Sequence, residues 1–163
     1  MTTENTNVET SLVAASGSML EEMSGAAAKF FTTLPQETPL DKAKLMNCLQ
    51  APDFKTDEII GKTFMLKNFI AQNITMVNEE TGEITDATRL VLISEKGKSV
   101  VAVSKGLFNS VKMLIQIFGL PGNGGWKESI PVMLAQLTVK KGRTFNLKVV
   151  TETVEKTDKN VIW

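Results

Sequence analysis

The 163-residue sequence has no histidine and a single cysteine, Cys48. Without histidine the commonest general base and the usual zinc ligand are missing, and one cysteine cannot form an internal disulfide. No pair of acids has the spacing for a carboxylate-only metal site, and no nucleophile has a base at readable spacing, so neither a cofactor nor catalysis is expected. Long hydrophobic runs are also missing. LVLI (Leu90 to Ile93) and MLIQIFGL (Met113 to Leu120) fall far short of the roughly 20 residues that span a bilayer, and no membrane partner is expected. The start, MTTENTNVETS, has neither the basic segment nor the apolar stretch of a secretory signal, which points to the cytoplasm.

The chain does have 42% hydrophobic residues, enough for one domain with a core and residues left over for an arm. The formal net charge is zero, but the charges are segregated. Met1 to Glu58 holds nine acids and four bases, Ile59 to Val150 six acids and twelve bases, and Thr151 to Trp163 three acids and two bases. A basic middle flanked by acidic ends is either uneven solvation or a surface for a polyanion.

Residues 1–17 are polar, acidic and aperiodic, and read as a flexible arm. Residues 18–58 read as a helical extension. Ser18 and Glu21 give a first start signal, and Thr38, Pro39 and Asp41 a second, stopped by Pro52. Leu40, Leu45, Cys48 and Leu49 form a partly apolar face on the second helix, fit to dock on the domain or on another subunit. Cys48 reads as a small buried hydrophobe on that face.

From Gly61 the period changes to two. KTFMLKNFIAQNITMV places Phe64, Leu66 and Ile70 on one side of a strand, with Met65, Lys67 and Phe69 on the other; its length predicts a bend or break near Gln72-Asn73. ATRLVLISE and SVVAVS follow as strands joined by EKGK. A helix capped by Ser104 carries Leu107, Val111, Leu114 and Phe118 at helical spacing and ends at Gly119. IPVMLAQLTV and RTFNLKVV are strands joined by KKGR. The expected fold is mainly β with α: a five-stranded OB-fold-like antiparallel barrel (β-β-β-α-β-β) over residues 59–150, with the N-terminal helical extension before it and a C-terminal tail, 151–163, after it.

The glycine cluster in LPGNGGWKESIP resembles a phosphate cradle but fails as one. A P-loop lies between a strand and the helix it starts, whereas here a helix precedes the glycines and a strand follows. Trp126 also separates Gly125 from Lys127, and Glu128 occupies the hydroxyl position. Trp126 then either closes the bottom of the barrel or offers an exposed indole for stacking, with Lys127 beside it for a phosphate.

OB folds bind oligonucleotides or oligosaccharides on strands two and three and in the loops joining strands one to two and four to five. The four-to-five hairpin carries Lys140, Lys141 and Arg143, clustered cations suited to phosphate. Lys67 lies two residues before Phe69, so strict alternation sends a cation and a ring outward together, the combination an unpaired strand requires. Arg89, Lys98, Lys105 and Lys148 extend the basic surface, whereas Phe64 and Phe145 read as core. The one-to-two loop, NEETGE, is acidic and departs from a uniformly basic groove.

The stretch GKTFMLKNFIAQNITMVNEETGEITDATRLVLISEKGKSVVAVSKGLFNSVKMLIQIFG, followed by KKGRTFNLKVV, resembles small single-stranded-DNA-binding proteins of bacteriophages and related mobile elements. The similarity spans about Gly61 to Val150. It implies sequence-independent binding of single-stranded DNA inside the bacterial host cell, protection from nucleases and support of a replicating polymerase, with replication proteins as possible partners. Bacterial single-strand binders end in an acidic tail with an aromatic tip. Here EKTDKNVIW keeps the apolar tip with only sparse acid before it, so a docked end is the alternative to a recruiting one. The second reading of the whole chain is a phage structural or assembly protein that forms a homo-oligomer through its N-terminal helices.

Overall fold

The computed structural model of the protein describes residues 30–140 and 142–163. The expected arm, all but the last two residues of the first expected helix, and Lys141 lie outside the described residues. Residues 31–163 form one compact unit.

The described chain begins with strand β1 (Phe30–Thr32), inside the expected helical extension. Helix α1 (Pro39–Gln50), strand β2 (Phe54–Lys55) and a short 3-10 turn (Thr56–Ile59) follow. Next come β3 (Thr63–Val77), β4 (Ile84–Ser94), β5 (Ser99–Ala102), helix α2 (Lys105–Phe118), β6 (Ile130–Val139), β7 (Gly142–Val149) and β8 (Val161–Ile162). From β3 to β7 the order is strand, strand, strand, helix, strand, strand.

The fold is mainly β with two helices, and its sheet is curled, mixed and OB-like. Among the described residues it has eight strands, the five within residues 59–150 (β3 to β7) and three outside that span, with a main path β2-β5-β4-β3-β6-β7 and with β1 and β8 both beside β3. The closed barrel is corrected to a half-barrel, because no ladder joins β5 to β7 among the described residues. The edge of β5 is covered by the two-residue β2 and the edge of β7 by α2, which leaves little template for unwanted pairing. β2 lies parallel to β5, and the Asp53 carboxylate accepts from the Ser99 amide at 2.9 Å. On β7, the amides of Phe145 and Leu147 donate to Ser104 Oγ and Ser110 Oγ of α2, at 3.4 and 3.1 Å.

The expected bend in the long strand falls earlier than Gln72-Asn73, at Lys67. Leu66 pairs with Ser94 but Asn68 with Ile93, so Lys67 is an extra residue, a bulge. Before it β3 pairs with β6 and β8, and from Leu66 onward it pairs with β4. The bulge also shifts the alternation by one residue. Phe64 and Leu66 face the core before it, and Phe69 faces the core after it, together with Leu90 and Leu92.

The opposite face of the same strands is buried as well. Ile70, Val91 and Ile93 have almost no exposed surface. Lying over this face are α1 and the residues that lead into it: Leu34, Asn47 and Cys48 line one cavity with Asn68 and Ile93. The predicted cap of α1 is present, with Thr38 Oγ1 accepting from the Asp41 amide and the Asp41 carboxylate accepting from the Thr38 amide, both at 3.1 Å. Burial raises the Cys48 thiol above its ordinary pKa.

Candidate nucleic-acid interface

Two of the expected stacking residues lie inside the protein. The bulge at Lys67 turns Phe69 inward, leaving it 3% exposed, and Trp126 is 6% exposed. Their rings pack at 5.8 Å, with Phe31 on the other side of Phe69 at 5.6 Å. The Trp126 indole N–H donates to the Gly119 carbonyl at 3.0 Å, so the ring is both packed and satisfied. Phe69, expected as an outward ring, therefore lies in the core, and of the two readings of Trp126 the packed one is seen.

The glycine cluster supports that packing. Gly125 has φ of 95°, and a Cβ there would meet the Lys67 carbonyl and the Asn68 side chain. The Trp126 amide donates to the same Lys67 carbonyl at 3.0 Å. Only glycine lets the loop approach the bulge this closely.

Arg89 is also taken up structurally. Its guanidinium donates to the Leu49 carbonyl at 2.6 Å, at the C-terminal end of α1, where a cation suits the helix dipole. Arg89 therefore fastens α1 over the sheet rather than extending an open basic surface.

The remaining expected cations fall into two separate groups. Lys67 is half-buried, and its Nζ reaches the Lys127 carbonyl at 3.5 Å. The turn carrying Lys98 lies near them, because the Glu95 amide donates to the Met65 carbonyl and Ser129 Oγ approaches the Glu95 carboxylate. The other group gathers around the start of α2. Ser104 Oγ lies 3.4 Å from Thr144 Oγ1, so Lys105 and Arg143 each sit one residue from that contact. Lys140 lies on the same hairpin, and Lys148 stands opposite Met133 along it. β6 runs from the first group to this hairpin, about 30 Å at roughly 3.3 Å per residue. The cations do not form one continuous groove.

Two residues of the second group were not singled out in the sequence. Lys112 Nζ lies 5.1 Å from the centroid of the half-buried Phe108 ring. Lys105, Phe108 and Lys112 are three and four residues apart, so they line one face of α2. That spacing was the available signal. Gly106 lets the stripe lie beside β7, since a Cβ there would meet the Phe145 carbonyl and Thr144 Oγ1.

The electrostatics around this stripe favour an anion. Residues 96–127 include five lysines and no acid, and the first turn of α2 has no acid to occupy its N-terminal dipole. Cations, a ring and a helix N-terminus beside a β-hairpin can neutralise phosphates and stack on a base.

An OB-like half-barrel with this surface belongs to the general class of nucleic-acid-binding domains. Comparison with known families places the chain within that class: residues 24–150 match the phage single-stranded DNA-binding protein family of the Phi29 type, and the chain belongs to that family. No curated protein and no solved structure gives a significant match. Among the described residues, no helix is long and apolar enough to cross a membrane.

Proposed function

We propose that the protein coats single-stranded DNA without sequence preference during phage DNA replication, protecting unpaired strands. Lys105, Lys112 and Arg143 neutralise phosphates and Phe108 stacks on a base. The observation that carries this reading is the cation-ring-cation stripe on α2, set beside the basic hairpin in a chain of the single-stranded DNA-binding family. Lys67, Lys98 and Lys127 lie outside this footprint. The reading leaves aside the strand-two and strand-three face used by other OB folds, because α1 and Leu34 lie over it. Support of a polymerase and contact with replication proteins follow from a coated strand as template. The homo-oligomer expected through the N-terminal helices is part of this reading, since α1 leaves Leu40 and Met46 exposed.

The test is a titration of an unstructured oligonucleotide and a duplex over a salt series. Single strands are expected to bind more tightly, with steep salt dependence. The double variant Lys105→Ala/Arg143→Ala should lower the log-log salt slope by about 1.4, at about 0.7 per lost phosphate contact on a single strand. Phe108→Ala should cost about 1–3 kcal/mol at every salt concentration, because stacking releases no counterions. Equal affinity for duplex and single strand would reject the proposal. Phe108→Trp supplies the optical signal that the interior Trp126 does not, and its emission should be quenched by DNA.

A further inference from the structure

The acidic loop between β3 and β4 has no place in the DNA footprint, yet the structure displays it prominently. Beyond the part of β4 that pairs with β5, β3 and β4 continue alone as a two-stranded ribbon through Val77 and Ile84, which pair across the strands. The β6–β7 hairpin likewise continues past the four-residue stretch in which β6 pairs with β3.

These two ribbons are opposites in charge. Residues 72–88 hold Glu79, Glu80, Glu83 and Asp86 and no base; residues 136–148 hold Lys140, Lys141, Arg143 and Lys148 and no acid. Four negative charges face four positive ones in total. Each ribbon also exposes aliphatic side chains just behind its charged tip. Val77 and Ile84 are 60% and 69% exposed on the acidic ribbon, and Leu137 and Val139 are 43% and 47% exposed on the basic one.

We infer that the acidic β3–β4 ribbon of one copy docks on the basic β6–β7 ribbon of the next. The occupant of each ribbon is a second copy of this chain, selected by charge complementarity around an aliphatic centre. By the period of two, Leu137, Val139 and Lys148 project to one side of the basic ribbon, together with Thr144, and Arg143 projects to the other. Because each patch is complementary to a different patch, the contact is head-to-tail and propagates instead of closing into a two-fold dimer. On a single strand it produces a contiguous row, and this consequence rests on the proposed DNA binding, whereas the contact itself does not.

The test uses full-length protein with two charge-reversed variants, Glu79→Lys/Glu80→Lys/Glu83→Lys and Lys140→Glu/Lys141→Glu/Lys148→Glu. Each is titrated against an oligonucleotide that holds one copy and against a long unstructured strand. The first variant should bind the short oligonucleotide at least as tightly as wild type, because no phosphate contact is lost. On the long strand both variants should lose about tenfold or more of the extra affinity that neighbours supply, since like charges now meet. An equimolar mixture should recover it, because each reversed ribbon meets an oppositely charged one. Unchanged preference for the long strand in the first variant overturns the inference, as does failure of the mixture to recover. Low-salt sedimentation of each variant and of the mixture reads the same contact without DNA: association of the mixture alone supports it, and no difference overturns it. Should wild type fail to bind single strands, the functional proposal falls while sedimentation still decides the contact.

Discussion

Two sides of this molecule differ in what they expose. On the outer face of β3, β4 and β5, Ile70, Val91 and Ile93 are aliphatic and sealed, and the polar groups around them are paired: Arg89 with the Leu49 carbonyl, Asp53 with Ser99, Thr33 with Asn68. Around the start of α2, Lys105, Lys112 and Arg143 are exposed, and a ring stands half-open among them. The cavity at the first surface is lined by Lys44 and Lys96 but also by Asp41, Asp53 and Glu95. OB-like architecture alone does not locate a ligand.

The sharpest way to break this contrast is to put a cation on the sealed side. If α1 is a permanent layer, Val91→Lys buries an unpaired charge and should lower stability by about 4 kcal/mol or more, enough to unfold a marginal domain. Chemical denaturation of the variant measures it. A folded, stable variant with increased affinity for single strands would mean that α1 lifts in solution and that the OB strand face is the binding surface.

Gly106→Ala sharpens the other side. In an open helical position this change stabilises by about 1 kcal/mol, because glycine is the poorer helix former. Here the new methyl meets the Phe145 carbonyl and Thr144 Oγ1, so α2 must move away from β7. Destabilisation of about 1–3 kcal/mol is expected, together with weaker DNA binding as Lys105 and Arg143 separate. Stabilisation by the alanine would show that the helix is not held against the hairpin. Val91→Lys tests packing beneath α1, whereas Gly106→Ala tests the alignment of the cations.

The strand and helix sequence between Thr63 and Val149 was legible because alternation and caps are local signals: Ser104, Gly119 and the hairpin glycines mark their elements directly. The bulge at Lys67 was not, since nothing in TFMLKNFI distinguishes a strand that continues its alternation from one that skips a residue. That single shift carried Phe69 from the expected outer face to the core and invalidated the Lys67-Phe69 pair as a stacking site. Arg89 was misread for a related reason, because its partner, the Leu49 carbonyl, is a tertiary contact across 40 residues. By contrast, Lys105, Phe108 and Lys112 needed only helical spacing within α2 and were within reach of the sequence.

The smallest expected effect concerns how α1 is held over the sealed face. Thr38→Ala removes the side-chain half of the capping box and should cost about 1 kcal/mol while leaving single-strand affinity unchanged, since α1 lies outside the proposed footprint. The Asp41 carboxyl is held below its ordinary pKa, first by the Thr38 backbone amide and then by the Thr38 side chain. Its depressed value in the folded state means that its contribution is present above the ordinary carboxylate pKa and is lost as pH falls through the folded-state value. Acid denaturation of wild type against Asp41→Asn should therefore show a difference that vanishes at the acid end, with no corresponding change in DNA affinity at neutral pH. A loss of affinity in either variant would move α1 from the structural side of the contrast to the binding side.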